Sequence, residues 1–229
     1  MQTAIASGPP RDWWSPPVRL LVFVLAASSI WCLLAEFYGL CSMRVFTWCV
    51  SLPALVALGG LGAADQWRGT RRLSSAMRVG ASAGLLAAVA YDLFRLPFVF
   101  ARPWGITGVV PSMPLYKVFP QFGVMMLGQP VGSGPYSAAA HLAGWAYHFS
   151  NGLTFGIMYL AVVGDSARRT WVWAVVMAVG LELGMLFTPY PGTFGIAVTP
   201  RFVVVTLVAH LIFGVVLGLT CRQLAARWW

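Results

Sequence analysis

Charge is what this chain of 229 residues has least of. Asp, Glu, Lys and Arg together make up 9% of it, six acids against fifteen bases, while 59% of its residues are apolar. A soluble domain covers its surface with roughly 25% charged residues, so a water-soluble globule is excluded. Cysteine is scarce as well: Cys32, Cys41, Cys49 and Cys221 form no C-x-x-C and no Cys/His ligand spacing, which leaves a thiolate zinc site unsupported. Cys41 and Cys49 flank a turn and could pair in an oxidising compartment; simple packing is the alternative. The net charge of +9 collects on no basic face or basic helix, so nucleic acid is not an expected partner. No glycine-rich phosphate loop follows a strand, no G-x-S-x-G elbow surrounds Ser150, and no H-E-x-x-H occurs. The N-terminal apolar run from Leu20 is expected to be a retained first span, because it is too long for a signal-peptide core and no clear small-x-small site follows it.

What is present is a series of apolar windows, each close to the ~20 residues a helix needs to cross a bilayer. They fall at about 18–40, 45–64, 73–100, 136–164, 171–188 and 200–220, which predicts an all-α polytopic transmembrane bundle of about six spans. Ahead of them, residues 1–17, with four prolines and Trp13 and Trp14, read as an interfacial leader. Residues 101–135 carry six prolines and several glycines, so a long helix is excluded there. Two readings of that outer segment stay open: a re-entrant or interfacial lid, and an amphipathic connector resting on headgroups. With both termini cytoplasmic, Arg68, Arg71 and Arg72, the Arg168–Arg169 pair, and Arg222 with Arg227 all lie inside, as the positive-inside rule requires. The expected partners are membrane lipids, and further copies of the chain or a larger membrane complex.

One phrase is written twice. His148-x3-Gly152-x3-Gly156 returns as His210-x3-Gly214-x3-Gly218, and Gly80, Gly84, Ala88 and Asp92 run the theme in reverse. On a helix this spacing makes a single stripe, with small residues that let backbones approach and one ionisable group at its end. Counting ~1.5 Å per residue puts His148 and His210 some 16–18 Å below the outer surface, with Asp92 near that level and Glu182 higher. His141 lies two turns above His148 on the same face. Ionisable side chains in hydrocarbon cost roughly 2.5–3.5 kcal/mol each, so their clustering points to a polar pocket open to the outer face. Asp92, His148 and His210 are its expected core, with His141 and Glu182 beside them. Glu182 fits less simply, because it points away from the face shared by Gly180 and Gly184. Glu36, near the outer end of the first span, is expected to snorkel to the interface.

From Ala140 onward the chain resembles the YagU-like bacterial inner-membrane proteins, an uncharacterised family. His141, His148 and Tyr159 on one helix, the Thr-Pro-Tyr-Pro-Gly turn at 188–192 and His210 on the last helix carry the likeness. The resemblance covers some 80 residues and implies a bacterial inner-membrane location, with no established activity or catalytic residue.

Several functions fit this pattern. One is purely structural, with the histidines bonding between helices. Two imidazoles with Asp92, completed by Glu182 or His141, would suit Zn²⁺, Cu²⁺ or Fe²⁺ and a lipid or small-molecule substrate. Bis-histidine ligation of a noncovalent haem b is a third option. A proton- or cation-coupled transporter is a fourth, with Arg95 one turn from Asp92 holding its charge.

Overall fold

The computed structural model describes residues 14–132 and 135–228. Among these the chain is all-helical, with no strand. The elements in order are α1 (Pro16–Ala26), α2 (Ser28–Phe37), α3 (Met43–Phe46), a π-helical turn (Thr47–Ser51), α4 (Leu52–Trp67), α5 (Arg72–Val99), α6 (Val118–Leu127), α7 (Ala138–Val163), α8 (Val172–Leu186), α9 (Tyr190–Thr193) and α10 (Pro200–Trp228). The leader expected at 1–17 lies outside the described residues up to position 13.

Three helices are long and apolar enough to cross a membrane: Met43–Trp67, which joins α3 to α4 through the π-turn, Arg72–Val99 and Pro200–Arg227. The α1–α2 pair, bent by 46°, makes a fourth if it counts as one span. The sequence windows at 136–164 and 171–188 fall short of that standard for different reasons. α7 is long enough at 26 residues but is diluted by His141, His148, Ser150, Asn151 and Thr154. α8 is apolar but only 15 residues long.

Backbone contact between glycines sets the centre of the bundle. A Cβ on Gly84 would stand 2.1 Å from the Gly152 carbonyl oxygen, and one on Gly156 would stand 1.9 Å from that of Gly80. α5 and α7 therefore touch along the stripe that the sequence marks. The second stripe locks a different pair, since Gly214 and Gly218 of α10 lie against Val175 and Trp171 at the start of α8. Gly180 and Gly184, by contrast, have nothing within 4 Å of their Cβ positions. α8 turns those two outward and Glu182 inward.

α6, about 15 Å long at 1.5 Å per residue, is too short to cross. It is buried from Val118 through Met125 and packs on α7, where Gly123 meets the Ala140 carbonyl and Gly144 meets that of Phe119.

The turns are tied by side chains. The Asp65 carboxylate, fully buried, accepts from the Ser74 backbone N–H at 2.9 Å and from the Thr70 hydroxyl, joining α4 to α5. Glu36 does not reach for the interface; its carboxylate accepts from the Met43 N–H at the start of α3. Cys41 and Cys49 are both free.

At the end of the bundle that holds the Asp65 turn, Arg19 caps α7. Its Nε donates to the Ala161 carbonyl at 2.8 Å and its Nη2 to that of Val162 at 2.5 Å. A cation on two terminal carbonyls satisfies acceptors the helix leaves open and complements its dipole. Lysine lacks the fork, so Arg19→Lys is expected to lose about 1 kcal/mol of stability and Arg19→Ala slightly more, read from unfolding in mixed micelles. No change in either variant would show that solvent supplies the cap equally well.

Candidate functional site

A cavity of about 160 Å³ lies among α5, α7, α8 and α10, with α2, α6 and α9 completing its wall. α5 supplies Tyr91 and Arg95, α7 His148 and Asn151, α8 Glu182 and α10 His210. Each is placed by its helical register. Asp92 lies on the face of α5 that continues the Gly80–Gly84–Ala88 stripe, and His148 sits one turn above Gly152 on the matching face of α7. The two side chains consequently meet where the glycine contact ends, with His148 Nε2 2.8 Å from Asp92 Oδ2.

Asp92 is buried and held from three directions. Arg95 Nη1 lies 3.7 Å from its other oxygen, and Tyr116 donates to its backbone carbonyl at 2.6 Å. Burial pushes the Tyr116 phenol up to about 12, so it remains a donor throughout the physiological range. Arg95, itself buried, donates to the Leu115 carbonyl and stacks over Tyr91 at 4.7 Å, with Tyr116 and Phe119 at 5.3 and 5.4 Å. A guanidinium enclosed by three rings and one carboxylate is a desolvated ion pair with aromatic walls.

His210 forms a second pair. Its Nδ1–H donates to the Thr206 carbonyl at 2.9 Å, with Glu182 Oε2 at 3.5 Å. Tyr91 rests against both imidazoles, at ring-centroid distances of 6.0 Å to His148 and 5.0 Å to His210. Each histidine thus has one nitrogen fixed as donor by a protein acceptor, which leaves the other carrying a lone pair when the ring is neutral.

The structure brings Asp92, His148, His210 and Glu182 to one place. His141 it leaves out: that residue is exposed near the top of α7, against Tyr136 at 6.3 Å. The metal shell of Asp92, His148 and His210 expected from the sequence does not assemble. Among the described residues no three His, Cys, Asp or Glu side chains gather to hold an ion. The acids have divided between the histidines, one each. For the same reason the two imidazoles do not face a common haem iron, since His148 Nε2 is directed at Asp92 and His210 Nδ1 at Thr206. Ser150 donates to the Tyr147 carbonyl at 2.8 Å and behaves as a helix-internal hydroxyl.

Sequence reading missed the walls. Phe119 and Phe122 of α6 and Phe155 of α7 line the cavity, with Phe119 stacked on His148 at 4.2 Å. The signal available was the apolar run from Val118 to Leu127, too short to span and therefore free to pack inward. Above the cavity lies a second space of about 370 Å³. Tyr91, Arg95, Val118, Glu182 and Tyr190 border both. The segment between α5 and α6 and the one between α9 and α10 supply most of its remaining walls, with Gln121 of α6 and Phe202 and Thr206 of α10, and it forms a vestibule beside the cavity. No protein-family model, curated protein or solved structure matches this chain.

Proposed function

We propose that this chain is a six-span membrane protein that binds a small molecule in the cavity between α5, α7, α8 and α10. α7, enclosed by its neighbours, crosses despite its polar residues, and α8 is carried to the surface by the α9 turn. The arginine clusters at 68–72, 168–169 and 222–227 support cytoplasmic termini and a pocket open to the outside. The likeness to YagU-like proteins, with His148, Tyr159 and His210, belongs to the same proposal and favours a bacterial inner membrane.

The observation that carries the reading is the cavity itself. A closely packed bundle has little reason to leave about 160 Å³ open beside two acid–imidazole pairs, and bundle proteins build ligand sites between their helices. The test is a set of single-ring compounds, neutral and charged, screened by thermal unfolding of the detergent-purified protein. At least one compound is expected to raise the midpoint, and Ala178→Phe, which fills the cavity from a buried wall position, is expected to abolish that rise. A screen in which no compound acts would sink the proposal.

A second reading has its own support. The Asp92–His148 hydrogen bond at 2.8 Å joins two groups able to exchange a proton inside the bundle, the arrangement a proton-coupled transporter uses. Ligand uptake into liposomes that responds to an imposed pH gradient would favour it; gradient-independent binding would not.

A further inference from the structure

Resting on the cavity being a binding site, we propose the class of its ligand: a small organic monocation, a protonated amine on a single-ring apolar body, with its charge held by Glu182. The argument begins with the charges. Arg95 and Asp92 neutralise one another at 3.7 Å. Glu182 is buried, 8% exposed, and among the described residues no arginine or lysine pairs with it. Its neighbour His210 spends the Nδ1 proton on the Thr206 carbonyl. Arg95 is thus matched by Asp92, and Glu182 is the acid lining the cavity that has no arginine or lysine beside it. A buried carboxylate without a counter-charge is expensive, and a cationic ligand removes that expense.

The remaining features fit an amine. Asn151 Oδ1 is buried without a hydrogen-bond partner beside the cavity, an acceptor that calls for an N–H donor. Tyr91, Phe119, Phe122, Phe155, Tyr190 and Phe213 line the space, and ring faces attract ammonium groups. An apolar cavity of about 150 Å³ accommodates benzene, so about 160 Å³ suits one ring with a short arm. Glu182 borders the vestibule as well as the cavity, as does Arg95 with its charge matched by Asp92. Lys117, the other cation of the vestibule, is exposed, where water and salt screen it.

The experiment is equilibrium dialysis of the detergent-purified full chain against labelled 2-phenylethylammonium at neutral pH. The neutral 2-phenylethanol and the anionic 3-phenylpropionate serve as competitors, and Ala178→Phe as the blank for uptake by micelles. One saturable ammonium site per chain is expected, with the alcohol at least about tenfold weaker, as a charge-assisted contact requires. Glu182→Gln is expected to lose about tenfold or more in ammonium affinity while the alcohol changes by less than about threefold. Should Glu182→Gln fail to fold, the comparison of the three probes on the unaltered protein decides alone. Equal binding of ammonium and alcohol, or tighter binding of the anion, would overturn the cation proposal and leave the cavity reading in place. No saturable binding of any probe would overturn both.

Discussion

Gly156→Ala is expected to destabilise the protein by about 2–3 kcal/mol, and Gly156→Val by more, because the new Cβ has no space that side-chain motion can open. Its ideal position is 1.9 Å from the Gly80 carbonyl oxygen and 3.0 Å from the Gly84 Cα, both backbone atoms. Relief requires α5 and α7 to separate along their shared stripe, which loses the contacts that follow from close approach. The matched control is Gly180→Ala on α8, where nothing lies within 4 Å. There alanine's better helix propensity should leave stability unchanged or raise it by up to ~1 kcal/mol. Unfolding of both variants in mixed micelles checks the pair. Equal responses would mean that glycine matters here for backbone flexibility and not for helix contact.

Asp92→Asn is the second large effect. Removing one charge strands Arg95, which is 5% exposed, with a carbonyl and ring faces as its remaining partners. It also replaces the acceptor of the His148 Nε2–H by a weaker one. Breaking a buried pair from one side costs about 3–5 kcal/mol, and the loss should fall near the lower end because Tyr91, Tyr116 and Phe119 still face the guanidinium. Removing Arg95 as well, in Asp92→Asn/Arg95→Met, should recover part of the loss. The coupling in that cycle is expected to exceed about 1 kcal/mol. Strict additivity would show that the two residues act separately despite their 3.7 Å approach.

Both experiments address features that the sequence displays openly. Period-four spacing of Gly80, Gly84, Gly152 and Gly156 marks the faces that touch, because only glycine permits that approach. The identity of the partners is not contained in the spacing. Gly214 and Gly218 carry the same stripe as Gly152 and Gly156, yet they lock α10 to α8 and not to α5, a choice made by the tertiary arrangement. His141 shows the limit of face arguments. It shares a face with His148, but two turns displace it along the axis beyond the reach of the site. Glu182 shows their value: its opposition to Gly180 and Gly184 is legible in the sequence, and it is the acid that turns inward. The matched depth of His148, His210 and Asp92 suggests a shared metal shell; in the structure each imidazole instead has its own carboxylate neighbour. The span count was less legible, since His148, Ser150, Asn151 and Thr154 of α7 lower the hydropathy of its window although they are at least partly buried against neighbouring helices.

The glycine contacts also bear on mechanics. Where backbones touch directly there are no rotamers to yield, so α5 with α7 and α8 with α10 each behave as a stiff bar. α5 and α10 approach one another as closely as α8 and α10 do, with Tyr91 on His210, while α7 and α8 meet only sparsely. The side of the cavity between α7 and α8 is therefore its least braced wall. Glu182 and His148 stand on opposite sides of that gap, whereas the Asp92–His148 bond spans the tightly packed α5–α7 pair.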